Sequence, residues 1–369
     1  MKMLVTGGAG FIGSHVVEAA VRRGDRVRVL DSLRADVHPV GVVPQLPPGV
    51  ELIRADVRDG AAVTEALLGV DLVCHQAAKV GLGVSFADAA DYTDSNLTGT
   101  AVLLAAMTER GVARLVLASS MVVYGEGRYR GPDGHVRPPA RAEADLRQGR
   151  FEPLDAEGRV LRPVLVGEDE ALDPRNVYAA SKLGQEHLAS AWARASGGRA
   201  ALLRYHNVLG AGMPQGTPYA GVASLFRSRL QRGEAPRVFE DGGQRRDFVD
   251  ARDVATANLA AATWTGSVRD GTVRAFNIGS GEVHTIGDLA TTLSAALDGP
   301  TPVITGEYRL GDVRHITADS SRARRELGWA PQHGFEAAVA DFARAPLRAP
   351  AGPSTSATYP QIAGSARSS

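Results

Sequence analysis

The feature that most constrains this 369-residue chain is a glycine turn near its start, within the segment VTGGAGFIG (residues 5–13). Gly7, Gly10 and Gly13 follow a short apolar segment directly and lie where an amphipathic stretch, 11–23, begins. Glycines here permit a tight turn and a close backbone approach to a pyrophosphate, which binds the free N–H groups of a helix N-terminus. The segment therefore predicts a strand–turn–helix unit that binds a dinucleotide.

The first half of the chain repeats the same alternation of strand and helix patterns. Helix-like segments, for example 11–23 and 98–110, lie between several short apolar runs, which read KMLVTG, RVRVL, VELIRAD, DLVCHQA and RLVLASS. Short runs rich in branched residues are typical of parallel strands that are buried on both faces. Because such strands are joined by right-handed helical crossovers, we predict an α/β fold with a Rossmann-type doubly wound parallel sheet.

The pattern also predicts the domain organisation. It breaks between about residues 125 and 176, where proline, glycine and charged residues are dense, and we interpret this segment as an insertion with little regular structure, a candidate lid. We predict a dinucleotide-binding domain over 1–209, which contains the insertion, and a smaller, partly interleaved C-terminal α/β substrate domain over 210–346. The tail, 347–369, has the composition of a disordered segment.

Composition excludes several classes of function. Lysine plus arginine (41) balance aspartate plus glutamate (41), so the chain lacks the basic footprint of a nucleic-acid-binding protein. No apolar stretch approaches the roughly 20 residues that cross a bilayer, and the glycine turn leaves no room for a signal peptide. The single cysteine, Cys74, excludes an internal disulfide and a cysteine-rich metal site, and lies in an apolar core segment. We expect a cytoplasmic protein that binds no nucleic acid, membrane or metal.

The second predicted strand points to the identity of the coenzyme. Asp31 ends this strand about 20 residues after the glycine turn, where an acidic residue binds the ribose hydroxyls of a dinucleotide. Since a carboxylate there repels a 2′-phosphate, the sequence favours NAD over NADP, although Arg34 lies nearby. Asp56 ends the next strand and has two equally good interpretations, contact with the adenine edge or capping of the following turn.

The segment NVYAASK contains a candidate acid/base pair. Tyr178 and Lys182 are spaced i, i+4 and share one face of a helix. A phenol has an ordinary pKa of about 10, and a neighbouring ammonium favours its ionised form, as does the positive ring of oxidised nicotinamide. The pair could therefore transfer protons. The alternative is an ordinary amphipathic helix, but the glycine turn favours the catalytic interpretation.

Over about residues 1–345 the chain resembles the extended short-chain dehydrogenase/reductase family, in particular its nucleotide-sugar epimerases and dehydratases. The resemblance is carried by the motifs TGGAGFIG, SSMVVYG, NVYAASK, RYHNVLG, RRDFVD and RLGDVRH. It implies NAD as the coenzyme, a UDP- or dTDP-hexose as the substrate, and a homodimer packed through paired helices. Within the family the chain is similar to UDP-glucose 4-epimerases, and its long insertion resembles that of a subgroup similar to dTDP-L-rhamnose 4-epimerases.

The resemblance also implies a reaction. Ser120 matches the family's catalytic hydroxyl, which bridges the sugar and Tyr178. The next two positions carry acidic residues in the family's dehydratases, and the second carries one in its decarboxylases, but here they are Met121 and Val122, which cannot transfer protons. The chemistry that remains without these acids is oxidation and re-reduction at one carbon. The resemblance therefore implies a 4-epimerase, in which a 4-keto intermediate turns over and NAD is regenerated in each cycle.

Further binding residues follow from the same motifs. The implied cofactor contacts are Gly7, Gly10, Phe11, Ile12, Gly13, Asp31, Ser32, Asp56, Val57, Ala77, Ala78, Lys79, Asn96, Ser119, Tyr178, Lys182, Tyr205 and His206. The implied substrate contacts are Ser120, Asn207, Arg246, Arg309 and Asp312. Simpler interpretations remain for some of them: Asn96 as a helix N-cap, His206 as a core residue, and the two arginines as surface charges. Arg245 competes with Arg246 for the diphosphate position.

The chain also departs from the family pattern. Asp250 replaces a histidine after RRDFV, Leu209 replaces a tyrosine after NV, and the insertion lacks the cysteine pairs that could hold a metal in the subgroup. Two other functions are therefore kept: a 4-ketosugar reductase that consumes an external dinucleotide, and a non-catalytic dinucleotide-binding regulator. Against the regulator stands the presence of Ser120, Tyr178 and Lys182 together.

Overall fold

A seven-stranded parallel sheet forms the centre of the computed structural model, which describes residues 1–38, 42, 44–81, 86–215 and 221–348. The strands of the molecule are β1 (Lys2–Thr6), β2 (Arg26–Asp31), β3 (Glu51–Arg54), β4 (Leu72–His75), β5 (Arg114–Ser120), β6 (Arg128–Gly131), β7 (Gly134–Val136), β8 (Arg162–Val164), β9 (Arg199–Tyr205), β10 (Asn207–Leu209), β11 (Arg237–Val238), β12 (Arg245–Arg246), β13 (Phe248–Asp250), β14 (Val273–Ile278), β15 (His284–Thr285) and β16 (Val303–Ile304). The central sheet has the order β14-β9-β5-β4-β1-β2-β3.

Helices connect these strands. They are α1 (Phe11–Arg22), α2 (Gly60–Ala66), α3 (Ala89–Tyr92), α4 (Gly99–Glu109), α5 (Glu143–Arg147), α6 (Val177–Ser196), α7 (Val222–Leu230), α8 (Ala251–Trp264), α9 (Ile286–Ala296) and α10 (Phe335–Arg344). Short 3₁₀ turns cover Phe86–Asp88 and Met121–Tyr124, and π-helical turns cover Thr93–Thr98 and Ala323–Leu327. In the described part of the chain, no helix has the length and apolar character needed to span a membrane.

The helices pack on both faces of the central sheet. Side chains of α1 and α8, such as Val17 and Ala261, form one core with the sheet, and those of α2, α4 and α6, such as Leu103 and Ala189, form the other. The strands are therefore buried on both sides, which is why their sequences read as continuous apolar runs. This doubly wound arrangement confirms the predicted α/β fold.

The strand order places a crevice at one edge of the sheet. The chain leaves β1 for β2 on one side, and β4 lies on the other side of β1, so the connections diverge at the carboxyl ends of these two strands. In doubly wound sheets ligands bind at such a switch point. The glycine turn after β1 and the segment that follows β4 meet there.

The insertion between residues 125 and 176 is more regular than expected. Strands β6, β7 and β8 form a small antiparallel sheet, and α5 lies between its second and third strands. The insertion also contains a turn held by Asp155, whose carboxylate accepts the N–H groups of Glu157 and Arg159 at 3.0 and 2.8 Å. Glycine and proline density hid these short strands, since each has only three or four residues.

The C-terminal part combines helices with short strand pairs. Helices α7, α9 and α10 form a third core with the pair β10 and β13, through side chains such as Phe226, Leu289 and Phe342. Asp250, which departs from the family pattern, accepts the N–H of Arg252 and caps α8. The domain boundaries at 209/210 and 346/347 stay a prediction. Of the tail, residues 349–369 lie outside the described part.

Candidate active site

The glycine turn forms a cradle that side chains would fill. Gly7 has a φ of +67°, and a Cβ added there would lie 2.6 Å from the backbone nitrogen of Ala77. A Cβ on Gly13 would lie 2.1 Å from the carbonyl oxygen of Gly7. Helix α1 begins at Phe11, and its N-cap residue Gly10 has no side chain to cap it, which leaves the first N–H groups of the helix for a ligand. The turn therefore fits a pyrophosphate, as the sequence predicts.

The acid at the end of β2 is tied to this turn. The Asp31 carboxylate is buried and accepts the N–H groups of Ala9 at 3.0 Å and Leu33 at 2.9 Å. Arg34, which left NADP open, forms ion pairs with Asp36 and Asp91, and the hydrogen bonds that it donates to these two carboxylates raise its pKa. Because its guanidinium already binds two carboxylates, Arg34 is poorly placed to receive a 2′-phosphate. This arrangement favours NAD.

The next strand ends in a capped turn. Asp56 accepts the backbone N–H of Arg58 at 2.9 Å and pairs with its guanidinium, which lowers the pKa of the Asp56 carboxyl. These contacts are those of the turn-capping interpretation. Val57 is buried behind the turn, and Ser32 is half-buried after β2. All three lie on the β2–β3 side of the cradle, where the adenosine half of a dinucleotide would lie.

Asn96 joins the segment after β4 to α6. Asn96 accepts the N–H of Lys79 at 2.7 Å and donates to its carbonyl at 3.0 Å and to the Ser181 hydroxyl at 2.8 Å. The interpretation of Asn96 as a helix N-cap is wrong, because it lies inside the π-helical turn. Lys79 itself forms an ion pair with Asp91 at 2.6 Å. Ala77 donates its N–H to the Thr6 hydroxyl, so the segment 77–79 is fixed beside the glycine turn.

The predicted catalytic residues meet at the carboxyl end of β5. Burial raises the pKa of Tyr178 to about 12, and an interaction with the Ser120 hydroxyl opposes this rise. The Lys182 ammonium donates to the carbonyl of Ala118 at 3.0 Å. Burial lowers the pKa of Lys182 to about 7, while the Glu186 carboxylate opposes that shift. The hydroxyl of Ser120 therefore favours the phenolate in this structure.

Glu186 is a residue that the sequence reasoning missed. Its carboxylate accepts the Ser119 hydroxyl at 2.5 Å and binds the Arg204 guanidinium at 2.7 and 2.9 Å. The signal was available, because Glu186 follows Lys182 by one further helical turn and so lies on the same face of α6. Since the Ser119 hydroxyl donates its proton to this buried acid, it can only accept a hydrogen bond from a cofactor without breaking that bond.

The end of β9 carries unpaired polar groups. The Tyr205 hydroxyl donates to the side-chain amide oxygen of Gln76 at 3.2 Å, and Tyr205 lies in the core. His206 is 4% exposed, and neither of its ring nitrogens has a hydrogen-bond partner among the described residues. Burial lowers the pKa of His206 to about 3, so its ring is neutral at pH 7. The side-chain oxygen of Asn207 is likewise without a partner in the described chain. Such buried atoms are what a bound ligand would satisfy.

The predicted substrate residues gather near the strand β12. Arg246 donates to the carbonyl oxygens of Arg314 at 2.9 Å and Val313 at 2.7 Å, and burial lowers its pKa. The surface-charge interpretation is therefore wrong for Arg246, and Arg245 is the exposed neighbour. The Arg309 guanidinium lies 5.0 Å from the centre of the Phe239 ring. Burial raises the pKa of the Asp312 carboxyl, and the positive charges of Arg309 and Arg246 oppose this rise.

Residues 3–144 and 160–279 match the NAD dependent epimerase/dehydratase family. The chain belongs to this family. It is 36% identical over 348 residues to dTDP-L-rhamnose 4-epimerase from Burkholderia thailandensis, which covers 92% of this chain and 93% of that protein. It is 30% identical over 346 residues to UDP-glucose 4-epimerase from Corynebacterium glutamicum, with 90% and 92% covered.

Solved structures agree with this assignment. UDP-glucose 4-epimerase from Thermus thermophilus in complex with NAD superposes with a TM-score of 0.72 at 30% identity, over 93% of this chain and 98% of that one. The Thermotoga maritima enzyme with UDP-glucose gives 0.74 at 29% identity, over 93% and 97%. The predictions of an NAD-dependent nucleotide-sugar epimerase and of NAD as its coenzyme are thereby confirmed.

Over the described residues, no group of three His, Cys, Asp or Glu side chains could hold a metal ion.

Proposed function

We propose that this epimerase inverts C4 of a UDP- or dTDP-linked hexose, with Ser120, Tyr178 and Lys182 as its catalytic residues. The observation that carries the proposal is the interaction of the hydroxyls of the half-buried residues Ser120 and Tyr178, together with the apolar residues Met121 and Val122 that follow Ser120 in the chain. When bound in the glycine cradle, NAD supplies the acceptor and donor of the C4 hydrogen. No proton donor follows Ser120 directly, so elimination of water has no support there.

The chain's own residues would hold and move one proton. Ser120 would lie between the sugar and Tyr178, so that its hydroxyl could pass the proton of the 4-hydroxyl to the phenolic oxygen and return it. Because burial raises the pKa of Tyr178 to about 12, the phenol needs a neighbouring positive charge to act as a base. Lys182, with a pKa of about 7 and an orientation fixed by the Ala118 carbonyl, can supply that charge or exchange the proton.

The remaining site residues would bind the two nucleotides. We assign the coenzyme to the residues predicted from the sequence, which surround the glycine cradle and the carboxyl ends of β4, β5 and β9. We assign the nucleotide sugar to Asn207, Arg246, Arg309 and Asp312. Arginine suits a diphosphate because its planar guanidinium can donate two parallel hydrogen bonds to phosphate oxygens. The Asp312 carboxyl can accept the ribose hydroxyls.

Incubation with a panel of nucleotide sugars tests this function. We expect that the purified protein inverts C4 of a UDP- or dTDP-hexose, as followed by NMR, without net consumption of NADH or NADPH. GDP-hexoses serve as the comparison set. Stoichiometric consumption of added dinucleotide would instead establish the 4-ketosugar reductase, and binding of NAD without turnover of any sugar would establish the non-catalytic regulator.

We also propose that the protein is a cytoplasmic homodimer packed through paired helices. The family resemblance supports the dimer, and the buried free thiol of Cys74 is compatible with a reducing compartment. Light scattering should give twice the chain mass of 38.7 kDa. A mass equal to one chain would contradict the dimer.

A further inference from the structure

The insertion contacts one particular loop of the C-terminal part. This loop, residues 308–315, carries the proposed substrate residues Arg309 and Asp312 and is here called the substrate loop. It contains no strand or helix among its residues, so other parts of the chain must fix its conformation. Three charged residues of the insertion do so: Glu126, Arg141 and Glu152.

Glu126 binds the backbone of the substrate loop. Its carboxylate is buried and accepts the N–H of Arg314 at 3.1 Å and the N–H of His315 at 3.2 Å. The neighbouring Gly127 donates its N–H to the carbonyl of His315 at 3.1 Å. A Cβ on Gly127 would lie 2.4 Å from that carbonyl oxygen, so the two backbones approach closely. One end of the insertion is therefore paired with one end of the loop.

Glu152 binds the side chains of the same two loop residues. Its carboxylate accepts the guanidinium of Arg314 at 2.6 and 3.0 Å and contacts the His315 ring at 2.8 Å. Arg314 is only 1% exposed, and it also binds Glu240 and Asp241 at 2.8 Å. A buried cation with several carboxylates in fixed geometry is held in one position.

Arg141 binds the middle of the loop. Its guanidinium donates to the carbonyl of Asp312 at 2.8 Å and to the carbonyl of Phe151 at 3.1 Å. It also forms an ion pair with the buried carboxylate of Glu240 at 2.9 Å. Since the bonded carbonyl belongs to Asp312 itself, Arg141 fixes the backbone of a proposed substrate residue.

We propose that Glu126, Arg141 and Glu152 are positioning residues through which the insertion orders the substrate loop for the nucleoside diphosphate of the substrate. The inference rests on the proposed function, because it takes Arg309 and Asp312 as substrate contacts. The family match is interrupted over residues 145–159, which include Glu152, so this contact belongs to the insertion rather than to the shared family pattern.

The physical reason is the entropy of the loop. Without the contacts from the insertion, binding of a nucleotide must order the loop at that moment, and this ordering reduces the affinity. The contacts lie away from the glycine cradle, so their removal should not reduce the affinity for NAD. Loss of positioning should therefore appear in the binding of the nucleotide sugar and not in the binding of the coenzyme.

Substitution of Glu152 tests the proposal. In Glu152→Gln we expect the Kd for UDP or dTDP, measured by calorimetry, and the KM for the nucleotide sugar to rise about tenfold, equivalent to about 1.4 kcal/mol of binding free energy. The Kd for NAD and the kcat at saturating substrate should stay close to those of the wild type. Arg141→Lys keeps the positive charge but not the two-pronged geometry, and should show the same pattern.

A matched control comes from the same insertion. Glu157 is 64% exposed, and among the described residues its carboxylate pairs only with the exposed Arg159, so Glu157→Gln should leave all four constants unchanged. If Glu152→Gln and Arg141→Lys bind UDP and dTDP as the wild type does, or lose NAD affinity equally, the positioning role is overturned while the proposed function stands. If the wild type binds neither UDP nor dTDP, the proposed substrate class falls and the inference falls with it.

Discussion

The glycine cradle and the insertion pair their buried backbone groups in different ways. In the cradle, β1 lies between β2 and β4 in continuous parallel register, so that Val5 pairs with Val29 on one side and Cys74 on the other. In the insertion, the strands have only three or four residues, and side chains such as the carboxylate of Glu126 bind the buried backbone N–H groups instead. The first arrangement depends on a repeated apolar pattern, and the second depends on single charged residues whose partners lie far away in the chain.

The two regions also treat buried charge differently. In the active site beside the cradle, the pKa values of Tyr178 and Lys182 are shifted mainly by burial, which the Ser120 hydroxyl and the Glu186 carboxylate offset only in part. Around the insertion, the buried guanidinium of Arg314 is surrounded by the carboxylates of Glu152 and Glu240. Weak compensation suits catalysis, whereas full compensation suits a fixed structure.

The largest expected effect compares the half-buried Tyr178 of the active site with the buried Tyr129 of the insertion. Tyr178→Phe removes the proposed acid/base group, and we expect kcat to fall by about 10²–10⁴-fold while the Kd for NAD is retained. In Tyr129→Phe, a hydroxyl that donates to Glu126 at 2.6 Å is lost, so the free energy of unfolding should fall by about 1–3 kcal/mol with little change in kcat. Steady-state kinetics and urea denaturation measure both. Normal turnover by Tyr178→Phe would contradict the mechanism.

A smaller effect compares two glycines. In Gly13→Ala the new Cβ would lie 2.1 Å from the Gly7 carbonyl oxygen, so the cradle must distort, which should cost about 1–3 kcal/mol of stability and weaken NAD binding. Gly167 in the insertion has no atom within 4 Å of an added Cβ. Gly167→Ala should therefore leave the melting temperature and the Kd for NAD unchanged. Equal tolerance of both substitutions would show that the cradle is not tightly packed.

The smallest expected effect compares two buried histidines. Burial lowers the pKa of His75 to about 3, so below its ordinary pKa of about 6.5 the unfolded chain takes up a proton that the folded chain does not. His75 should therefore remove about 1.4 kcal/mol of stability for each pH unit as the pH falls from 6.5 toward 3. Burial also lowers the pKa of His315, but the Glu152 carboxylate opposes that shift, so its contribution should be smaller.

Denaturation between pH 7 and pH 5 checks this order. His75→Gln should flatten the loss of stability with falling pH more than His315→Gln does, and differences between each variant and the wild type cancel the contributions of other groups. A larger flattening in His315→Gln would mean that Glu152 does not compensate the burial of His315.

Regular elements and short-range motifs were readable in advance. The helix predicted to carry Tyr178 and Lys182 forms as α6, and the one predicted over 98–110 forms as α4, because an apolar face with helical period fixes such elements locally. The glycine turn was equally readable, since Gly7 and Gly13 have steric reasons for being glycine. The position of Glu186 on the Lys182 face of α6 could be predicted as well, but its partners and those of Asn96 could not, because they belong to distant segments.

The sequence by itself determined the doubly wound sheet, the glycine cradle and the placement of Tyr178 and Lys182 one turn apart on a helix, because periodicity and spacing act over a few residues. Only the tertiary structure decided which group opposes the burial of Tyr178, how Arg34 is neutralised, and where the insertion binds. Those outcomes depend on desolvation and on ion pairs between residues far apart in the chain, such as Glu152 with Arg314. Such terms exist only once the folded chain has excluded water and brought the charges together.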